Sequence, residues 1–355
     1  MGKEILIIRL SSIGDVIHCT PVARSLKAAW PDCRITWMVG GVSAELLQGN
    51  PDIDEIIIWS RERFEQYLRE CKFRKAWHMW HSLREQIKDR HFYAVLDIHG
   101  LFLTGLIASQ VNTEKRIGLR GAKELNPLFM TETGEARSEH ITDRYLAVLS
   151  CLGIEESSHR MRLVIPEEAR NFAATLFREH LVLPGETVIV FVLGTTWITK
   201  NWPVAFFIET INLLKQDVRI ILCGGKAEKE KGQEVLVKSR ADIIDMIGRT
   251  SLAEMAAIIG KASVVVSGDT GPLHMAGALG TPTVGLFGPT DPKVYAPRGK
   301  QHEVLFGKLP CSYCHKRKCP KGERRCMESI TPESVVQTIY RVINRPSSAG
   351  EKFGR

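Results

Sequence analysis

Residues 9–21, RLSSIGDVIHCTP, follow directly on the apolar run EILIIRL, so a buried strand gives way to a helix at a Ser-Ser-Ile-Gly-Asp turn. The turn leaves two roles open for Asp15. A carboxylate in the first turn of a helix satisfies unpaired backbone N–H groups and the positive end of the helix dipole. A carboxylate beyond the carboxyl end of a strand in an open α/β sheet also sits where such folds bind ligands, and there it can act as a base.

The strand-then-helix alternation repeats. The runs EILIIRL, RITWMV, EIIIW, YAVLDI and RIGL alternate with helix-like segments up to about residue 152, the pattern of a parallel, doubly wound sheet. Pro166 and the Pro-Gly pair at 184–185 then break the pattern and predict a boundary between 165 and 185. A second series, VIVFVLG, VRIILCGG, IIDMIG, SVVVSGD and TPTVGLFG, reads as nearly continuous Val, Ile and Leu, as in strands covered on both faces. The expected organisation is a domain over 1–170, a second over 171–345 that ends in a Cys-rich segment and a helix capped by Thr331, and a frayed tail over 346–355. IIRLSSIGD and VVVSGDTGPLH both run a strand into Gly-Asp, which predicts equivalent corners for Asp15 and Asp269 in two Rossmann-like domains.

Composition is that of a soluble globular chain: 355 residues, 44% hydrophobic and 25% charged. No apolar run approaches the ~20 residues of a membrane span, and neither a secretory signal nor a myristoylation pattern is visible, so the reading is cytoplasmic. The net charge of +8 calls for an acidic partner. Nine Lys and Arg side chains between Arg61 and Arg90, including Arg63 and Arg74, interleave with Phe64, Tyr67, Phe73, Trp77 and Trp80. Residue by residue this reads as a solvated helix face with its aromatic side in the core; as a group it reads as a basic face for an anion.

Three strand ends in the second half carry polar or glycine-rich loops. GTTWITKNWP offers Thr195, Thr196 and Lys200, hydroxyls and an ammonium suited to phosphate oxygens. SGDTGPLHMAGALGTP opens a helix at Thr270 and Gly271, with Asp269 before it and His274 in its first turn, which makes an anion site. CGGKAEKE permits close backbone approach at Gly224 and Gly225, and Glu228, with Glu230 as competitor, can accept from ribose hydroxyls. Neither G-x-G-x-x-G nor G-x-x-x-x-G-K-[ST] occurs, which counts against a dinucleotide oxidoreductase and a P-loop phosphotransferase.

These segments, with YAVLDIHGLFLTGLIA and CSYCHKRKCPKGERRCMESITPESV, resemble the lipopolysaccharide heptosyltransferases of glycosyltransferase family 9 in collinear order from residue 4 to about 340. The resemblance implies a GT-B fold, two Rossmann-like domains facing across a cleft, and inverting transfer of L-glycero-D-manno-heptose from ADP-heptose to the inner core of lipopolysaccharide. It implies Asp15 as general base and Thr195, Thr196, Lys200, Glu228, Asp269, Thr270, Gly271 and His274 as donor-binding residues in the second domain. The first domain would bind the acceptor, with Arg61, Arg63, Arg120 and Lys123 as cations toward an acidic lipopolysaccharide precursor at the inner face of the inner membrane. RKAWHMWHSL and YAVLDIHGL lean toward the enzyme of the first heptose.

No Asp-x-Asp pair adjoins the donor motifs, and no cofactor or catalytic metal is expected. Cys311, Cys314, Cys319 and Cys326, spaced C-x2-C-x4-C-x6-C with His315 adjacent, suit a closed zinc site, but not with the spacing of a standard ribbon or finger. Reduced thiols or a labile disulfide is the preferred reading. Two rivals stand beside the transferase: a sugar-nucleotide 2-epimerase of similar architecture, and a basic nucleic-acid-binding protein with a zinc module at 311–326.

Overall fold

The computed structural model describes residues 2–155, 158–322 and 325–345. The tail expected to fray from Pro346 lies outside the described residues. The chain forms two compact units, Met1–Val164 and Ile165–Arg355. Pro166 is the N-cap of the Glu167–Glu179 helix, which belongs to the second unit.

Unit one holds β1 (Glu4–Ile8), β2 (Arg34–Val39), β3 (Glu55–Ile58), β4 (Ala94–Asp97), β5 (Arg116–Leu119) and β6 (Glu132–Gly134), in the order β3-β2-β1-β4-β5-β6. Unit two holds β7 (Thr187–Val192), β8 (Val218–Cys223), β9 (Ile243–Asp245), β10 (Val264–Gly268), β11 (Thr283–Phe287) and β12 (His302–Phe306), in the order β12-β11-β10-β7-β8-β9. Counted within its own unit, each sheet runs 3-2-1-4-5-6, the Rossmann order. All neighbouring strands are parallel, with Ile8 opposite Asp97 in the first sheet and Val266 opposite Phe191 in the second.

Helices cover the central strands β1, β4, β7 and β10, so nearly all their residues are buried on both faces, as uninterrupted apolar runs require. In unit one Leu6, Ile8, Met38 and Val95 pack with Leu83 and Ile87 of the Phe73–Ile87 helix. In unit two Ile189, Phe191, Ile220 and Val266 pack with Val335, Ile339 and Val342 of the Pro332–Ile343 helix. Thr331 caps that helix as expected, its side chain accepting from the Ser334 N–H. The two strands the sequence pattern does not predict, β6 and β12, are the ones with the least apolar alternation: Glu132, Thr133 and Gly134 in one case, and an intermediate-burial edge strand in the other.

The topology corrects one expectation. Asp15 follows β1, the first strand of its unit, whereas Asp269 follows β10, the fourth strand of the other. The two are therefore not equivalent corners. The counterpart of Asp15 is the Thr195–Lys200 loop after β7, and the counterpart of Asp269 is the turn after β4 at Asp97. What the corners share is the switch point, where connections depart to opposite sides of the sheet and leave the strand ends open.

Close packing fixes Gly134 at the end of β6. A Cβ there would lie 2.1 Å from the Ala147 carbonyl oxygen, and backbone cannot yield as a side chain does. Gly134→Ala is expected to destabilise the protein by about 2–3 kcal/mol, read as a lower urea midpoint for unfolding.

Candidate active site

At the end of β1, Asp15 takes the third position of the Ile13–Ala29 helix. The Ser12 N–H and hydroxyl donate to its Oδ2 at 3.2 and 2.8 Å. The carboxylate therefore performs the capping role. It also ion-pairs with Arg9 Nη2 at 2.7 Å and accepts from the Tyr145 hydroxyl at 2.5 Å through Oδ1. Arg9 is buried, donates through Nη1 to the Ile98 carbonyl at 2.9 Å, and lies over the Tyr145 ring at 4.9 Å. The Asp15 side chain keeps 27% of its surface open.

Burial works to raise the Asp15 pKa, but the Arg9 charge and the hydrogen bonds from Tyr145 and Ser12 outweigh it and hold the carboxyl well below the usual carboxylate range. Next to it, burial and the charges of Arg9 and Arg61 push the His99 imidazole down to about 3. Neutral at physiological pH, His99 accepts from Arg61 Nη1 through Nε2 at 3.3 Å. The turn carrying His99 is held by Asp97, fully buried, which accepts from the His99 and Gly100 N–H groups at 3.1 Å each and from Asn126 Nδ2 at 2.7 Å. Burial keeps the Asp97 pKa above its ordinary value despite these bonds.

In unit two the switch point is built around a second carboxylate. Asp269, 5% exposed, accepts from Lys200 Nζ at 2.6 Å and from the Thr290 hydroxyl at 2.7 Å on Oδ2, with His274 Nε2 3.3 Å from Oδ1. Burial would raise its pKa, but His274 and Lys200 outweigh this and keep it ionised. Lys200 also lies over the Trp197 ring at 4.4 Å. Thr195 closes its own loop, its hydroxyl reaching the Trp197 carbonyl at 2.7 Å and Asn201 Oδ1 at 2.9 Å, while Thr196 is exposed. Thr270 is the N-cap of the Gly271–Leu279 helix and makes no side-chain capping bond; Pro272 carries no N–H, and the Leu273 N–H donates to the Thr270 carbonyl at 3.0 Å.

Glu228 and Glu230 are told apart by position. Glu228 Oε2 accepts from the Gly225 N–H at 3.0 Å, and its side chain packs over Gly194, where a Cβ would fall 2.3 Å from its carboxyl carbon. The end of β8 thus reaches the loop after β7, whereas Glu230 is exposed on the Lys229–Lys238 helix.

Of the four cations expected to meet the acceptor, only Arg61 enters the Asp15 cluster. Arg63 turns to the Tyr67 hydroxyl at 2.9 Å, Arg120 pairs with Glu135, and Lys123 is exposed. Among the described residues nothing ties these three side chains to Asp15. The aromatic side of the basic face is not all in the core either: Phe64 and Trp80 pack against it, but Phe73 and Trp77 are 62% and 64% exposed.

The four clustered cysteines line one cavity of about 160 Å³ with Leu309 and Pro310. Among the described residues no group of three or more His, Cys, Asp and Glu side chains is placed to hold a metal ion. The segment has a different structural role. The Lys316 carbonyl accepts from Thr199 at 2.7 Å, the Arg317 guanidinium lies over Trp197 at 5.5 Å, and the His315 N–H donates to the Pro289 carbonyl at 3.0 Å. It braces the loop bearing Lys200 and the one bearing Thr290 together.

Sequence reasoning missed Arg9, His99, Tyr145 and Thr290. Arg9 and His99 stand at strand ends and were open to detection on that ground. Tyr145, on the short Ile141–Leu146 helix, and Thr290 carry no local signal.

Two Rossmann-order sheets with polar clusters at both switch points are the architecture of a GT-B glycosyltransferase, and solved structures of this fold match the whole chain. A glycosyltransferase family 9 protein from Veillonella parvula aligns with a TM-score of 0.80 at 25% identity, covering 96% of this chain and 97% of its own. The E. coli heptosyltransferase WaaC with ADP aligns with a TM-score of 0.74 at 24% identity, covering 96% and 99%. The model for glycosyltransferase family 9 (heptosyltransferase) matches residues 80–324, and the chain belongs to that family. Lipopolysaccharide heptosyltransferase 1 of Pseudomonas aeruginosa is 26% identical over 368 aligned positions, covering 97% of this chain and 99% of the relative. Membership makes the protein a transferase and disfavours the epimerase and nucleic-acid-binding readings.

Two measurements check the electrostatics. In a carbon-13 NMR titration, Asp15 should ionise well below ~4, the ordinary carboxylate value, and Tyr145→Phe should move it upward. Because the folded-state pKa lies below the unfolded one, the stability this group contributes is complete above ~4 and is lost as the pH falls toward its folded value. In unit two, Lys200→Met leaves a buried carboxylate short of its cation and should cost roughly 3–5 kcal/mol in equilibrium unfolding. Adding Asp269→Asn should recover part of that loss.

Proposed function

We propose that the protein is an inverting heptosyltransferase that moves L-glycero-D-manno-heptose from ADP-heptose to the inner core of lipopolysaccharide, at the cytoplasmic face of the inner membrane. The observation that carries this reading is Asp15, a carboxylate held ionised at a switch point with part of its surface open. An acceptor hydroxyl placed against Asp15 attacks the anomeric carbon from the face opposite the diphosphate. The bond from that carbon to the phosphate oxygen breaks with its electron pair leaving on ADP, and the acceptor proton passes to Asp15.

Unit two supplies the donor side. The Lys200 ammonium, shared with Asp269, and the positive dipole end of the Gly271–Leu279 helix stabilise charge growing on the departing diphosphate, a task often given to a divalent cation. Thr195 shapes the loop, Thr196 presents a free-standing hydroxyl to phosphate, and Glu228 takes the ribose hydroxyls. His274 keeps Asp269 in place. In unit one Arg61, bonded to neutral His99, meets an acidic group of the acceptor beside the Arg9–Asp15 pair, while Arg63, Arg120 and Lys123 act from the periphery. The relatives support the donor and the acceptor class: WaaC was solved with ADP, and the Pseudomonas aeruginosa relative is a lipopolysaccharide heptosyltransferase 1. The latter favours a Kdo-lipid A acceptor and the first heptose.

Asp15→Asn keeps the size of the side chain and an oxygen for Ser12 while removing the base. Transfer measured by mass spectrometry of product should fall ~10²–10⁴-fold, with ADP affinity by calorimetry within a few-fold of wild type. Normal turnover in this variant would overturn the assignment of the base.

A further inference from the structure

Among the described residues no helix is long and apolar enough to cross a membrane, yet one surface carries the features of a bilayer contact. Every residue from Leu68 to Lys75 is exposed, across the end of the Arg61–Arg69 helix and the start of the Phe73–Ile87 helix. Within that stretch and one turn beyond it, Leu68, Phe73 and Trp77 leave 42%, 62% and 64% of their surfaces in solvent. Phe73 and Trp77, four apart, lie on one line of the helix, and Arg84, seven residues beyond Trp77, continues it. This line runs along the edge of the stripe formed by Ala76, Leu83 and Ile87, which is buried in the unit. The helix therefore uses one apolar strip for its own core and leaves a second, adjoining strip without cover.

Cations surround the open strip. Arg69, Arg74 and Arg84 form no ion pair among the described residues, Lys75 is held only by the Tyr67 ring at 5.8 Å, and Lys72 is paired with Glu70. Two large aromatic side chains in a ring of unpaired guanidinium groups match the boundary of an anionic bilayer, where the rings enter the headgroup region and the cations meet phosphate. Arg61, on the same helical hairpin, faces inward to the Asp15 cluster, so the outer strip and the candidate acceptor site are parts of one element.

We infer that the Leu68–Trp77 segment docks the protein on an anionic phospholipid surface by inserting Phe73 and Trp77. This rests on the proposed function only in making the acceptor lipid-anchored; the docking itself stands on the surface described.

The test is co-sedimentation of the full chain with vesicles of phosphatidylcholine alone or with ~30% phosphatidylglycerol, at two salt concentrations. Wild-type protein should bind the anionic vesicles at least ~10-fold better than the neutral ones. Phe73→Ser with Trp77→Ser should reduce that binding ~10-fold or more with all cations intact, and Arg69→Ser with Arg74→Ser should remove most of its salt dependence. Both pairs are exposed, so melting temperature and transfer to an acceptor lacking acyl chains should match wild type. Failure of wild type to bind either vesicle, or unaltered binding by the aromatic variant, overturns the inference. A concentration-dependent dimer in sedimentation velocity that the aromatic variant abolishes would also overturn it, by assigning the strip to a second copy of the chain. Loss of transfer to the acyl-free acceptor in wild type would speak against the proposed function and leave the vesicle result standing.

Discussion

A carboxylate leaves water at a strand end only if cations and hydrogen-bond donors leave with it. Both units of this protein are organised around that requirement. Asp15 brings Arg9, Ser12 and Tyr145 into its environment, and Asp269 brings Lys200, Thr290 and His274. In each case the partners come from separate elements, so the carboxylate pins several chain segments to one point. Tyr145 ties the Ile141–Leu146 helix to the first turn after β1, and Thr290 ties the loop after β11 to the end of β10. The two centres differ in access. Asp269 is enclosed, which suits a group that fixes a cation in place, whereas Asp15 remains open, which suits one that meets a substrate proton.

The parts of this arrangement legible in the sequence were those encoded locally. Unbroken Val/Ile/Leu runs predict ten of the strands because burial on both faces leaves no room for alternation. The motifs at the ends of β7, β8 and β10 announce themselves because glycine, hydroxyl and charge replace apolar residues abruptly there. Gly194, for example, leaves room for the Glu228 side chain packed across it. What stayed hidden was tertiary. Tyr145 is 130 residues from Asp15 in the chain and sits in an ordinary amphipathic context. The matching of Asp15 with Asp269 failed for a related reason: Gly-Asp after a strand is a local likeness, and only the strand order reveals that one strand is first in its sheet and the other fourth.

Amphipathic patterning also misleads at Phe73 and Trp77. Their spacing from the buried Ala76, Leu83 and Ile87 places them within an apolar arc wide enough to be read as a single core-facing stripe, yet the unit covers only part of it. The Cys segment presents the reverse problem. Its spacing admitted a zinc site beside the preferred reading of reduced thiols or a labile disulfide, and nothing in either reading announced its mechanical role: through Thr199, Trp197 and Pro289 it holds the loops that set the position of Lys200 and Thr290 relative to Asp269. Four thiols at one cavity supply compact, weakly polar packing for a segment that otherwise consists largely of cations, turns and prolines.

The electrostatics at Asp15 constrain the order of events in the proposed transfer. A carboxylate stabilised by a buried guanidinium and a phenol has a low affinity for protons, so it cannot withdraw one from an unreacted sugar hydroxyl, which is many orders of magnitude less acidic. Once the acceptor oxygen has begun to bond to an anomeric carbon of oxocarbenium character, the hydroxyl becomes strongly acidic and even a weak base suffices. Proton transfer therefore follows bond formation rather than preceding it, and most of the barrier rests on departure of the diphosphate. That places the heavier demand on the Lys200 side, while Arg9 and Tyr145 keep Asp15 ionised and aimed, at the cost of its basicity. The same balance accounts for neutral His99: a third full positive charge beside Arg9 and Arg61 would depress the base further, and burial keeps that charge from forming.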